Sequence, residues 1–299
     1  MNAQRIDAGF AGRLKRDEPM SRHTSWHVGG PADAWFEPRD LGDLTQFLRT
    51  LGPGTPLHWV GLGSNLLVRD GGLRGVVIAL HGSLTNLKRE SQNLVYCEAG
   101  VPCARIARQC VKWGLGPAEF FAGIPGTLGG ALAMNAGAFG GETWNHVVDV
   151  LTINRSAAQR WRPAGEYRTG YRSVVPPQAE EWYLAARLTF EHRPEAHADE
   201  IRALLARRKQ SQPIGEWSGG STFTNPPGDH AARLIESAGL KGHRIGGATV
   251  SVKHANFLIN EGAATAADIE QLILHVQATV ERTHGVHLEP EVRIIGEPR

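Results

Sequence analysis

The sequence predicts an α+β protein of more than one domain. Amphipathic helical stripes and short strand-like runs are interspersed along 299 residues, and the 36 glycines gather in clusters instead of spreading evenly. The length also exceeds what a single hydrophobic core usually serves, and a chain this long buries roughly three quarters of the surface its unfolded form exposes.

Taken in order, Leu41, Leu44, Phe47, Leu48 and Leu51 lie at helical spacing, with Gly52 as a stop. Leu57 to Val60 and Val76 to Leu80 read as short strands on either side of a glycine-rich loop. Pro102 opens a helix with Cys103, Ile106, Cys110 and Trp113 on its apolar side, ended by Gly114 and Gly116. Val147 to Ile153 and Tyr183 to Phe190 are expected as strands, with an irregular stretch from Ala157 to Pro177 between them. Ile201, Leu204 and Leu205 begin a helix that runs into Gln212-Pro213 and a glycine-rich turn. Thr265 followed three residues later by Asp268 looks like a capping box, Ile269, Leu272, Ile273, Val276 and Val280 form one stripe, and Gly285 closes that helix. Val286 to Ile295 reads as a last strand. Composition shifts place domains at 1–74, 75–200 and 201–299.

Charge excludes some partners. Lys and Arg number 32 against 30 Asp and Glu, too even for the one-signed field that nucleic-acid or membrane-surface binding uses. The densest basic run, Arg207-Arg208-Lys209, fits the solvated face of a helix and equally a role in binding phosphate. Three cysteines, Cys97, Cys103 and Cys110, match neither CxxC nor zinc spacing, so reduced, half-buried thiols are expected. The thirteen histidines show no HExxH or related pattern, so no metal site is expected; His243 and His254 are read as core or surface residues, contact with a nucleotide or sugar being the alternative. The first twenty residues lack the apolar stretch of a secretory signal and no run of eighteen apolar residues follows, which points to the cytoplasm; a monomer that contacts neither membrane nor nucleic acid is a separate expectation.

Two glycine clusters invite a ligand. Gly61-Leu62-Gly63-Ser64-Asn65-Leu66 follows a strand, so its backbone amides are exposed in a turn that can cradle a pyrophosphate. It is neither a Walker loop nor GxGxxG, because Leu66 stands where the third glycine would fall and a strand comes next. In Gly123-Ile124-Pro125-Gly126-Thr127-Leu128-Gly129-Gly130-Ala131-Leu132-Ala133-Met134-Asn135-Ala136-Gly137 most side chains are tiny. Such a run suits close approach to a flat ligand or to another backbone, and tight helix-on-sheet packing is the competing reading.

Thr24 to Ala32, Gly61 to Val68, Gly123 to Ala138, Gly170-Tyr171-Arg172-Ser173, Gly219-Gly220-Ser221-Thr222-Phe223-Thr224-Asn225-Pro226 and Leu288 to Gly296 occur in that order. Together they resemble the UDP-N-acetylenolpyruvoylglucosamine reductase family over residues 21 to 296. The resemblance implies an FAD-binding fold of the vanillyl-alcohol oxidase/p-cresol methylhydroxylase type, with a third α+β domain for substrate. It also implies non-covalent FAD, NADPH as hydride donor, and UDP-N-acetylglucosamine enolpyruvate as substrate. FAD contacts then fall on Gly61, Leu62, Gly63, Ser64, Asn65 and Leu66, and on Gly123, Ile124, Pro125, Gly126, Thr127, Gly129, Gly130, Ala133, Asn135 and Gly137. Arg172, Ser221 and Glu291 match the catalytic positions, and Lys209 and Asn225 the substrate-binding ones. Gly61-Leu62-Gly63 replaces a commoner triple glycine, Thr224 stands where many members have lysine, and Arg168 competes with Arg172 because it too follows a tyrosine. The length matches the shorter form of the family.

The implied reaction leaves negative charge on an α carbon and its carboxylate. Arg172 would stabilise that charge, and Ser221 would protonate the α carbon. Glu291 would have to be protonated, its pKa raised by desolvation and the substrate's own charge, to donate a hydrogen bond there. An oxidase or dehydrogenase of the same fold, or a nucleotide-sugar-binding protein without turnover, are the alternatives.

Overall fold

The computed structural model describes residues 9–195 and 198–299. The chain forms two compact units, the first made of Met1–Lys15, Ala34–Gly61 and Val76–Ala206, the second of Arg16–Asp33, Leu62–Gly75 and Arg207–Arg299. Each has its own core, and the chain is a mixed α+β protein.

In the first unit an antiparallel sheet takes the order Gln159–Pro163, Val147–Asn154, Glu181–Thr189, Leu94–Glu98, Leu87–Arg89. Helix Cys103–Lys112 buries Cys103, Ile106, Ala107, Cys110 and Val111, the i, i+3, i+4, i+7, i+8 stripe of an amphipathic helix, within the core shared with that sheet's Val95, Cys97, Val150 and Leu188. A second core gathers around helix Leu41–Thr50, where Phe36 and Phe47 stack with centroids 3.8 Å apart. Asp40 caps this helix by accepting the N–H of Asp43, and Leu57–Val60 runs parallel to Leu73–Ala79 through pairs such as Leu57 with Val76.

In the second unit helix Ala266–His284 buries Ile269, Leu272, Ile273, Val276 and Val280 in a core with Leu258 and Val250, and its antiparallel sheet takes the order Trp217–Ser221, Phe257–Asn260, Ala248–Val250, Arg244–Ile245. The expected capping box is present, and the carboxylate of Asp70 accepts the N–H groups of both Ala266 and Ala267. Arg293–Ile295 pairs in parallel with Leu66–Val68.

Three expectations need correction. The stretch from Ala157 to Pro177 is not irregular: it contains the strand Gln159–Pro163 and a hairpin of Arg168–Gly170 with Ser173–Val175. Its inward residue is the buried Arg162, so no apolar alternation marks the strand. Only Arg293–Ile295 of the predicted strand Val286 to Ile295 is one, since Pro290 has no N–H, Leu288 accepts from Gln277 of helix Ala266–His284, and Glu289, Glu291 and Val292 bond to Thr224, Thr222 and Asn65. All three cysteines are free but fully buried, not half-buried, and burial drives each thiol pKa up, that of Cys110 to about 12. Among the described residues no helix is long and apolar enough to cross a membrane.

Arg162 donates to both carboxylate oxygens of Glu181, at 2.6 and 2.7 Å, and to Glu166 and Gln178. The Arg162 hydrogen bonds hold the Glu181 carboxyl below its ordinary value of 4.5, so its contribution to stability is complete above pH 4.5 and is lost as pH falls further. Replacing Arg162 by Met strands a buried carboxylate, and urea unfolding at pH 7 should show a loss of about 3 kcal/mol. The variant should also lose less additional stability than the parent when the titration continues below pH 4.5.

Candidate functional site

The glycine clusters are folded by close approach. Gly61 lies against Thr127, where an added Cβ would come within 2.5 Å of the threonine Oγ1, so the first unit itself joins position 61 to the small-residue run. Within that run the seven-residue helix Leu128–Met134 is held by Leu128, Ala131 and Leu132 in the core, and the N–H groups of Leu128 and Gly129 donate to the carbonyls of Val101 and Ala99. Gly129 thus obeys the tight-packing reading, with a Cβ there 3.1 Å from that of Ala99. Gly130 does not: nothing lies within 4 Å of its added Cβ. Pro125 and Gly130 are exposed, and Gly126 and Ala133 half-buried, so part of the run presents small residues outward, while Gly123, Ile124 and Thr127 are buried. A surface of this kind, low and without long side chains, suits a flat aromatic ring.

The end of this run positions Arg172. Asn135, 2% exposed and left-handed at φ 43°, caps the short helix, and its Nδ2 donates to the Gly170 carbonyl and to Glu142, each at 2.9 Å. Its Oδ1 accepts the N–H of Trp144 at 3.0 Å. The Asn135 side chain is therefore turned into the protein, and its backbone is what the run presents. Two residues past Gly170, Arg172 also sits at a positive φ of 53°, in the turn of the Arg168–Gly170/Ser173–Val175 hairpin. Its guanidinium donates to the carbonyl of Gly137 at 3.0 Å and of Asn135 at 3.4 Å. Arg168, the competing arginine, is exposed on the hairpin's strand.

The second unit builds Ser221 and Glu291 on adjoining backbone. Gly63, at φ 62°, is compelled by the carbonyl oxygen of His23, which any Cβ there would overlap. Its own carbonyl accepts the N–H of Ser25 at 3.3 Å, and Asn65 donates from Nδ2 to the Glu291 carbonyl at 3.0 Å. Gly219 lies under the Trp26 indole, where a Cβ would approach to 2.5 Å, and Trp26 is fixed by its Nε1 donating to Leu258. Ser221, the last residue of its strand, pairs with Phe257. The N–H of Glu291 then donates to the carbonyl of Thr222 at 2.8 Å, and the N–H of Thr224 to Glu289 at 2.9 Å. Ser221 and Glu291 are both half-buried.

Lys209 and Asn225 are exposed in this unit. The Lys209 carbonyl accepts from the Lys253 Nζ at 2.5 Å, and Asn225 accepts the N–H of Ala231 at the start of helix Ala231–Ser237 at 3.1 Å. The basic run beside Lys209 is not wholly solvated, since Arg208 is half-buried and bonds Gln212 at 2.6 Å. His243 stacks on His275 at 4.2 Å, and His254 packs edge-on against Phe257 at 4.8 Å, with burial lowering its pKa. Among the described residues no group of three or more His, Cys, Asp or Glu could hold a metal. Sequence reasoning missed Asn256, whose importance comes only from what it touches.

Comparisons with known proteins agree with this layout. Residues 32–157 match the FAD binding domain profile, and residues 212–295 that of the UDP-N-acetylenolpyruvoylglucosamine reductase C-terminal domain. The UDP-N-acetylenolpyruvoylglucosamine reductase of Methylococcus capsulatus is 55% identical over 297 residues, covering 99% of this chain and 97% of that protein. The enzyme of the same name from Alkalilimnicola ehrlichii is 58% identical, covering 96% of each. The crystal structure of UDP-N-acetylenolpyruvylglucosamine reductase from Thermus caldophilus superposes with a TM-score of 0.81 at 32% identity, covering 95% of this chain and 99% of that one.

Gly63→Ala and Gly130→Ala should separate constraint from open space. Thermal unfolding is expected to show Gly63→Ala destabilised by more than about 1 kcal/mol, and Gly130→Ala neutral or up to about 1 kcal/mol more stable. Equal behaviour of the two would contradict the assignment of strain at position 63.

Proposed function

The chain belongs to the UDP-N-acetylenolpyruvoylglucosamine reductase family, and from that membership we propose that Arg172, Ser221 and Glu291 carry its reaction. The protein is an FAD-dependent oxidoreductase that uses NADPH to reduce the enolpyruvyl ether of UDP-N-acetylglucosamine enolpyruvate to UDP-N-acetylmuramate, a step of peptidoglycan precursor synthesis. Family membership sets aside the oxidase and the non-catalytic readings.

FAD, when bound, supplies the hydride relay between NADPH and the β carbon of the substrate. The glycine run 123–137 and the loop 61–66 are the segments that would hold it without covalent attachment, the outward Gly130 and Ala133 leaving room for a ring. Arg172 would place a planar donor on the carboxylate where negative charge grows. Its anchoring on the carbonyls of Asn135 and Gly137 ties that donor to the end of the run expected to hold the ring. Ser221 Oγ would deliver the proton to the α carbon, fixing its configuration. Glu291, acting protonated, would donate to the same oxygen-rich centre, since an ionised carboxylate would repel it.

The 2.8 Å bond from the Glu291 N–H to the Thr222 carbonyl carries this reading, because it joins the acid's backbone to the residue after Ser221. Lys209 and Asn225 would contact the nucleotide-sugar end, and the enzyme would act as a cytoplasmic monomer. The test splits the reaction in two. Ser221→Ala should reduce its flavin with NADPH at the normal rate under anaerobic conditions, while reoxidation by substrate falls by about 10²- to 10⁴-fold. Equal loss in both halves would overturn the assignment of Ser221.

A further inference from the structure

Asn256 is 3% exposed, and its side chain is committed to one neighbouring residue. Oδ1 accepts the N–H of Phe223 at 2.9 Å, Nδ2 donates to the Phe223 carbonyl at 2.8 Å, and the main-chain carbonyl of Asn256 accepts the N–H of Thr222 at 2.8 Å. Donating to and accepting from a single residue is what a neighbouring strand does. Here a side chain does it, just where strand pairing ends: the register of Trp217–Ser221 against Phe257–Asn260 shifts between Ser218 and Ser221, Gly220 takes a φ of 79°, and Ser221 with Phe257 is the last pair. Beyond that pair, Thr222 presents its carbonyl to the Glu291 N–H at 2.8 Å, and Thr224 donates to Glu289 at 2.9 Å.

We infer that Asn256 is a positioning residue whose amide sets the spacing between Ser221 and Glu291 by holding Phe223 in place of a strand. The inference rests on the reading of Ser221 and Glu291 given above. Phe223 is 1% exposed, so its N–H and carbonyl cannot turn to water without moving the chain that also carries Thr222. A shift of about 1 Å in a reacting group is enough to cost on the order of 10²-fold in rate. Because Asn256 acts on the proton donor and the acid, its loss should be felt when substrate accepts the hydride, and not when NADPH gives one up.

Two variants test this. In Asn256→Ala, flavin reduction by NADPH should stay within about twofold of the parent while reoxidation by substrate slows about 10²-fold. In the apoprotein, amide hydrogen exchange at Phe223 and Glu291 should accelerate together while helix Ala266–His284 keeps its protection. Asn256→Asp keeps the side-chain shape: its neutral acid can still donate to the Phe223 carbonyl, whereas its carboxylate repels it. Its reoxidation rate, divided by that of the parent at each pH so that titration of His254, Glu289 and Glu291 cancels, should therefore rise by about tenfold from pH 8 to pH 5.5. This second variant also decides the matter if the alanine protein fails to fold. Reoxidation within twofold of the parent, equal slowing of both half-reactions, or a flat ratio for Asn256→Asp would overturn the inference. Slow reoxidation in Ser221→Ala together with normal Asn256 variants would sink only the positioning role, whereas a normal Ser221→Ala would sink the reading it rests on.

Discussion

The hydrogen bond between the Glu291 amide and the Thr222 carbonyl is the contact on which the placing of Ser221 beside Glu291 along the backbone depends. It joins segments about seventy residues apart in sequence and spends no side chain. Around it, Asn65 holds the Glu291 carbonyl, Asn256 holds Phe223, and the N–H of Arg293 donates to the Asn65 carbonyl at 3.0 Å. Each buried backbone group left unpaired would cost about 1–3 kcal/mol, so none of the loops at 62–66, 219–225 and 288–293 can move alone. This framework is built from main chain and asparagine amides.

The first unit treats Arg172 in the same manner. The Asn135 side chain grips the turn that carries the arginine, and the arginine grips the backbone of Asn135 and Gly137 in return. Both residues hold left-handed backbone without being glycine, a conformation that costs of order 1 kcal/mol or more and persists only where surroundings enforce it. Strain of this sort is consistent with a donor that has to be in one place before substrate arrives. The small-residue run meanwhile divides its tasks, with Gly129 packed against Ala99 and Gly130 left facing open space.

Much of this was legible in the sequence, for reasons particular to each element. The Thr265/Asp268 cap and the stripe from Ile269 to Val280 follow from local chemistry, and the structure reproduces them. The glycine clusters were visible because close approach tolerates few other residues. Gln159–Pro163 carries no apolar signal because its inward residue is Arg162, whose burial is explained by its partners Glu166, Gln178 and Glu181 outside the strand. Asn256 is hidden for a similar reason: an asparagine carries no signal of its own, and its partner Phe223 lies 33 residues off. The proposed roles of Arg172, Ser221 and Glu291 come from family resemblance alone, since a serine after two glycines or an acid near a strand is ordinary in isolation.

A crystal structure of the FAD-loaded protein with UDP-N-acetylglucosamine enolpyruvate bound tests whether Arg172, Ser221 and Glu291 converge on the enolpyruvyl group. Ser221 Oγ should lie about 3 Å from the α carbon, with the Arg172 guanidinium and the Glu291 carboxyl within hydrogen-bond reach of the substrate carboxylate. An enolpyruvyl group seated beyond reach of any one of the three would contradict that convergence.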